Sequence, residues 1–307
     1  MKAKILMRLR TSGGFVSSSD LCAELRISRV AVWKHIRTLQ GLGYDIVAGP
    51  KGYRLVSEAD TLFPWEFPGR EERIVHLAAA SSTMDVAKEL ARKGCPAFTV
   101  VAADRQTKGR GRLRRVWQSA AGGLYFTVVL RPELPVLMSG RVNFAASVAL
   151  ARVLRSDYGV AAGLKWPNDI LVQGRKLCGL LSEMEAESDR VAFINIGIGI
   201  NVNNRIAGIE PPATSLKGLL GRTVARREIL RRFLDEFEAG IAAADWGAVI
   251  PEWKRLSVTL GRSVRILTGR EELRGEAIDV DEDGGLMLRA PDGSIRKIVY
   301  GDCFADG

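Results

Sequence analysis

Asp104-Arg105-Gln106-Thr107-Lys108-Gly109-Arg110-Gly111-Arg112-Leu113-Arg114-Arg115-Val116-Trp117 follows the apolar, β-branched run Phe98-Thr99-Val100-Val101-Ala102-Ala103. The run predicts a buried strand, and the basic stretch predicts a loop leaving its end. Six of the fourteen loop residues are Lys or Arg, and Asp104 is the only acid among them. Gly109 and Gly111 let the backbone bend and approach a ligand closely. The arginines between and after them carry planar forks suited to phosphate and carboxylate oxygens. Empty, such a loop is expected to repel itself and stay loose, and an anionic ligand would order it. The plain alternative is a solvated basic surface loop.

Two further stretches bear on that choice. Downstream, Leu164-Lys165-Trp166-Pro167-Asn168-Asp169-Ile170 runs into Leu171-Val172-Gln173-Gly174-Arg175-Lys176-Leu177-Cys178-Gly179. Upstream, Ala80-Ser81-Ser82-Thr83-Met84-Asp85 opens a helix, with Ser81 or Ser82 as its cap, Val86 and Leu90 pointing inward and Gly94 ending it.

The rest of the chain divides around these pieces. Residues 1–56 predict a small unit of three helices and a hairpin. Ile5, Leu6 and Leu9 give the first helix one apolar face; Ser19 caps the second and Ser28 the third. On the third, Val32, Ile36 and Leu39 share a face, opposite Val30, Lys34 and Arg37. Two helices joined by a tight turn, then a hairpin with Lys51 at its tip, read as a winged helix-turn-helix, with Arg29, Val30, Lys34, Arg37 and Lys51 toward DNA. A trihelical protein-interaction module with a solvated basic face is the alternative. Residues 57–70 hold Pro64, Pro68 and Gly69 and predict a linker, docked by Trp65 and Phe67. Residues 71–257 predict a mixed α/β domain. Its strands include Arg73 to Leu77 and Leu124 to Leu130, with a helix from Ser139 to Asp157 and a second from Arg226 to Ala243. A strand from Arg190 to Ile196 closes the sheet. Residues 258–307 predict short strands with turns at Asp283-Gly284-Gly285 and Asp292-Gly293, suggesting a small SH3-like β-barrel.

Composition narrows the partners. A net charge of +10 favours nucleotides or DNA without choosing between them. Cys22, Cys95, Cys178 and Cys303 have no metal-like spacing and fit a reduced, cytoplasmic protein. With only His35 and His76, a metal site of three or more histidines is excluded. There is no signal peptide and no membrane-spanning run, so no membrane partner is expected. No Walker A sequence is present, so nucleotide handling would take another route.

Taken together, the Ser82-Thr83 pair, Gln106-x-x-Gly-Arg-Gly-Arg, Lys165-Trp-Pro-Asn-Asp169 and Arg175-Lys176-x-x-Gly179 occur in the order found in the biotin protein ligases. The chain resembles that family over nearly its whole length. The resemblance implies a multi-domain α+β protein: an N-terminal winged helix-turn-helix, a central mixed-sheet domain of class II synthetase-like fold, and the C-terminal SH3-like barrel. It also implies roles. Lys176 would sit at the biotin carboxylate and the reacting phosphate, with Arg112, Lys165 and Asp169 completing the catalytic set. Ser82, Thr83 and Gln106 would bind the ureido ring. Met84 stands where the family usually has asparagine. Gly109, Arg110, Gly111 and Arg112 match the loop that closes over the ligand, with Arg114 where glycine is common. Gly179 and Gly197 would lie against biotin, and Trp117, Asn168 and Asn201 against the adenylate. Plain alternatives remain for each: a solvated hairpin lysine for Lys176, a helix cap for Ser82, ordinary core for Trp117, a capping carboxylate for Asp169.

The implied reaction joins biotin and ATP into biotinyl-5′-AMP, with Mg²⁺ carried by ATP, Asp169 near it and no protein-only metal site. The acyl group then passes to a lysine of a carboxylase's biotin acceptor domain. The N-terminal unit implies a second role as a repressor binding operator DNA as an adenylate-loaded homodimer. A lipoate ligase of the same fold, or a biotin-sensing regulator without turnover, are the competing readings.

Overall fold

The computed structural model describes residues 1–188, 190–206, 212–243, 245–269 and 271–306, with only the backbone of Arg114 and Leu137. The Arg114 side chain, which stands where the family commonly has glycine, therefore lies outside the described residues. Two compact units divide the chain, Met1–Glu72 and Arg73–Gly307.

The first unit holds α1 (Lys2–Ser12), α2 (Ser18–Leu25), α3 (Arg29–Gly41) and the hairpin β1 (Asp45–Gly49) with β2 (Gly52–Ser57). Ser17, not Ser19, caps α2: its hydroxyl accepts the Asp20 N–H. Ser17 stands three residues before that amide, the spacing a capping side chain needs, whereas Ser19 lies inside the helix. Ser28 caps α3 as expected. Ile5, Leu6, Leu9, Leu21, Val32, Ile36 and Leu39 form one core. Arg29, Val30, Lys34, Arg37 and Lys51 are exposed, and so is Trp33. The segment after β2 folds back onto this unit. Trp65 packs on its core, donating from Nε1 to the Tyr44 hydroxyl at 3.1 Å, and Arg10 reaches Glu66 at 2.7 Å.

The second unit is built on a seven-stranded sheet. Its strands are β3 (Ile74–Leu77), β4 (Thr99–Ala103), β5 (Leu124–Leu130), β6 (Gly163–Lys165), β7 (Asp169–Val172), β8 (Arg175–Glu187) and β9 (Arg190–Ile200), in the order β3-β4-β5-β9-β8-β7-β6. Only β3 and β4 are parallel; all other neighbours are antiparallel, so the sheet is mixed. Strand β9 does not close the sheet. It lies at its centre between β5 and β8, and it continues past the expected end at Ile196 through Gly197 and Gly199 to Ile200. Glycine lowers strand propensity, so the sequence alone ends the strand early; pairing on both edges carries it on.

Helix α4 (Thr83–Arg92) covers one face. Ala87 and Ala91 are its most buried apolar residues beyond the first turn, while Val86 and Leu90 are half-buried at the flanks, a quarter-turn off the expected inward face. Small alanines let the helix sit close to the sheet, which puts the larger side chains to either side. Helices α5 (Ser139–Tyr158), α6 (Leu216–Leu220), α7 (Arg226–Ala243) and α8 (Trp246–Leu256) complete the domain; α8 carried no sequence expectation. The last strands, β10 (Ser263–Leu267), β11 (Glu272–Val280), β12 (Leu286–Arg289), β13 (Ile295–Ile298) and β14 (Asp302–Ala305), form one antiparallel sheet in the order β13-β12-β11-β10-β14. Its edges β13 and β14 are not paired with each other, so strand pairing does not close a barrel. Trp166, 1% exposed, ties the β6–β7 turn to this sheet: its Nε1 donates to the Gly284 carbonyl at 3.0 Å, and its backbone N–H to Thr259 at 2.9 Å.

Candidate active site

A cleft of about 580 Å³ opens where the start of α4, the basic loop, the β6–β7 turn, the middle of β8 and β9, and β14 come together. Of the residues assigned from sequence to catalysis, biotin or adenylate, all but Gly109 line it.

The basic loop is a built hairpin. Arg110 bridges Val116, the Gly111 N–H donates to the Arg115 carbonyl at 2.8 Å, and the Trp117 N–H to the Gly109 carbonyl at 2.9 Å. A Cβ on Gly109 would fall 2.4 Å from the Trp117 carbonyl oxygen, so this glycine is required by the loop's own closure. The expectation that the loop's cations lack acidic partners is corrected. Arg110 pairs with Asp85 at 3.0 Å and Glu183 at 3.2 Å; Arg115 pairs with Asp302. Arg112 donates to the Gly301 carbonyl at 3.1 Å and to Asn168 at 3.4 Å. Burial lowers the Arg112 pKa below its ordinary value, against the pull of Asp302 and Asp169. These acids are distant in sequence, which is why the sequence count missed them. Asp104, the loop's own acid, faces elsewhere, toward His76 and Arg226. Burial raises its pKa, but hydrogen bonds and charge from those two residues prevail and hold the carboxyl below its usual range.

At one end of the cleft a chain of hydroxyls and one amide fixes the geometry. Thr127 of β5, fully buried, donates to Thr83 at 2.9 Å; Thr83 donates to Gln106 Oε1 at 3.1 Å. Gln106 Nε2 donates to Ser119 at 2.8 Å, and Ser119 to the Trp117 carbonyl at 3.2 Å. Ser82 caps α4 by accepting the Met84 N–H at 3.3 Å, and its side chain also lines the cleft. The cap and cleft readings therefore coexist.

At the other end Lys176 Nζ stands 2.7 Å from Asp169 Oδ1 and 5.3 Å from the Trp117 ring centroid. The Lys–Asp contact is a close ion pair that misses the alignment of a hydrogen bond. Trp117 lies on a floor of glycines: a Cβ on Gly199 would fall 2.5 Å from its Nε1, and one on Gly179 would fall 3.0 Å from its Cζ3. Met84 lies likewise on Gly197, with Sδ 2.6 Å from the position of a Cβ. Lys165 Nζ lies 5.5 Å from the Phe304 ring, and Asn168 donates to the Leu180 carbonyl. Asn201 accepts from Asn204 at 3.0 Å.

Gly301, Asp302 and Phe304 around β14, and Thr127 and Ser119 in the polar chain, were not singled out from sequence. No local pattern marks them. Gly199 could have been found from Gly197, since alternate residues of one strand share a face.

Residues 77–201 match the Biotin/lipoate A/B protein ligase family, residues 2–54 an HTH domain, and residues 259–305 the Biotin protein ligase C terminal domain. The chain is 35% identical to the Bifunctional ligase/repressor BirA of Bacillus subtilis, over 97% of both chains. It is 29% identical to the protein of that name from Escherichia coli, over 97% of this chain and 95% of that one. A solved biotin protein ligase from Aquifex aeolicus, in complex with biotin and ATP, is similar with a TM-score of 0.64 and 29% identity, covering 75% of this chain and 97% of its own. With the cleft and the helix-turn-helix unit in one chain, this likeness along its whole length shows that it belongs to the biotin protein ligase family, among the bifunctional ligase/repressors.

Proposed function

We propose that the chain activates biotin with ATP to biotinyl-5′-AMP and pyrophosphate, and passes biotin to one lysine of a carboxylase's acceptor domain. The observation that carries the reading is the arrangement of the cleft. Small polar groups (Ser82, Thr83, Gln106) gather at one end, and two cations, Lys176 and Arg112, at the other with Trp117 between. That suits a ligand with a ureido ring at one end and a carboxylate at the other. A biotin carboxylate oxygen bonds to the α-phosphorus as the bond to pyrophosphate breaks. Two anions must meet in line, and Lys176 and Arg112 offset their repulsion. Asp169 holds Lys176 in place. Mg²⁺ would arrive with ATP, and the Asp169 carboxylate beside Lys176 is the group that could contact it. In the second step the acceptor lysine attacks the acyl carbon and AMP leaves.

The N-terminal unit reads as the operator-binding part, with Arg29, Val30, Lys34, Arg37 and Lys51 exposed on α3 and the hairpin. The repressor form would be an adenylate-loaded homodimer. Domain limits at 1–56, 71–257 and 258–307 with a linker at 57–70, the class II synthetase-like core and the SH3-like character of the last domain belong to the same reading. So does a cytoplasmic location, which the four free cysteines support; no described helix is long and apolar enough to cross a membrane.

Biotin-dependent exchange of pyrophosphate into ATP tests the proposal. Exchange with biotin and none with lipoate is expected. Exchange with lipoate alone would make this a lipoate ligase; exchange with neither would leave a sensor without turnover.

A further inference from the structure

The ureido end of the cleft is short of uncommitted acceptors, since the Ser82 and Thr83 hydroxyl oxygens each already accept one hydrogen bond and keep only one further lone pair. A ureido ring has one carbonyl and two N–H groups, so it requires two acceptors as well as donors. Gln106 Oε1 already accepts from the Thr83 N–H and hydroxyl, at 2.8 and 3.1 Å. Thr83 Oγ1 already accepts from Thr127, and Ser82 Oγ from the Met84 N–H. Met84 offers only a thioether, a weak acceptor.

Asn195 lies one step deeper. It sits on β9 two residues before Gly197, and so shares the sheet face of Gly197 and Gly199 that lines the cleft. It pairs across the sheet with Val129 and Glu183, the carboxylate that holds Arg110. Beyond it on the same face, Phe193 packs into the apolar cluster of Ala87, Ala91, Val101 and Val129. Asn195 is 1% exposed, and neither its Oδ1 nor its Nδ2 has a hydrogen-bond partner. A buried amide with both groups unmet is a lasting cost to the fold. In a strand centre valine or isoleucine would avoid it. What stands at this end of the cleft is Met84, an unbranched side chain able to swing aside.

We propose that Asn195 is a specificity-determining residue for the ureido ring, its Oδ1 accepting a ring N–H and its Nδ2 donating to the ureido carbonyl once Met84 shifts. An asparagine presents the two groups side by side, as does the edge of a cyclic urea, so one side chain makes a paired contact. The inference rests on placing the ureido end between Ser82, Thr83 and Gln106.

The test compares Asn195→Val, Asn195→Ser and Gln106→Leu with the wild-type full chain in single-turnover adenylation, varying biotin, and in thermal melts with and without biotin. For Asn195→Val the KM for biotin should rise about tenfold, equal to about 1.4 kcal/mol, with kcat within about twofold. Its Tm without ligand should equal or exceed that of wild type, and the biotin-induced rise in Tm should shrink. Biotin methylated at one ring nitrogen or the other should show one position at which wild type discriminates and the Asn195 variants do not. An unchanged KM in a folded Asn195→Val, with Gln106→Leu impaired, overturns the role of Asn195 alone. An unchanged KM in both overturns the placement of the ureido end and the proposal with it. If neither Asn195 variant folds, equal use of both methylated biotins and biotin by wild type overturns it.

Discussion

Lys176 does two jobs at the residue scale: it balances the buried side of Asp169, and it stands over the Trp117 ring. Lys176→Ala removes a cation beside two anionic reactants, an effect worth a few kcal/mol in a closed site. Single-turnover adenylation at saturating biotin and ATP should fall by roughly a hundredfold or more; a rate within about tenfold of wild type removes Lys176 from the mechanism. Gly199→Ala tests the floor. Its Cβ would meet Trp117 Nε1 at 2.5 Å, so the indole must lift. Overpacking of this kind costs about 1–3 kcal/mol. The expected outcome is a folded protein with weakened adenylate retention, read by dissociation of the intermediate; retention equal to wild type would mean that Trp117 is only core. These residues differ in legibility. Lys176 was readable because its motif is contiguous. Asp302 and Thr127 were not, because each acts across a distance in sequence that no spacing encodes, and Asn195 looks in sequence like one polar residue in a β-rich run.

At the scale of elements, the loop and the strand before it are held by different charges. Arg112→Gly would remove the hydrogen bonds to Gly301 and Asn168 while leaving the hairpin closure intact, since that closure uses backbone groups. The variant should fold, release biotinyl-AMP, and label lysines on a bystander protein. Blotting an added non-acceptor protein for biotin checks this, and an unlabelled bystander counts against the loop as a lid. Asp104 ties the end of β4 to β3 and α7 through His76 and Arg226. Its folded pKa is depressed, so the stability it contributes is present above the unfolded value, about 3.9, and is lost as pH falls through the lower folded one. Asp104→Asn should therefore lower Tm near neutral pH and flatten its decline below about pH 4. Parallel acid limbs for variant and wild type would sink that account. Strand and helix identities were largely legible from periodicity. The central place of β9 was not, because glycines at Gly197 and Gly199 weaken the local signal while the packing of Trp117 and Met84 demands them.

For the whole molecule, the division into Met1–Glu72 and Arg73–Gly307 predicts that the two activities can be separated. A chain lacking residues 1–72 should keep adenylation within a few-fold and lose specific operator binding, measured by exchange and by a mobility shift. Operator binding by the truncated chain would overturn the assignment of DNA binding to the first unit. The truncation removes the proposed linker too, because Trp65 and Glu66 in that stretch pack on the first unit.

The contact between Arg112 and the Gly301 carbonyl spans 189 residues of chain. At about 5–20 residues per second on a ribosome, the carbonyl is made roughly ten to forty seconds after the arginine. From about the middle of that interval, once β9 is made, all the sheet strands proposed to hold biotin exist, while the carbonyl that anchors Arg112 does not. A half-made chain that began turnover would hold its reactive product less well than a finished one. Placing that anchor just ahead of β14 would make retention of the intermediate wait until the chain has been made as far as Gly301.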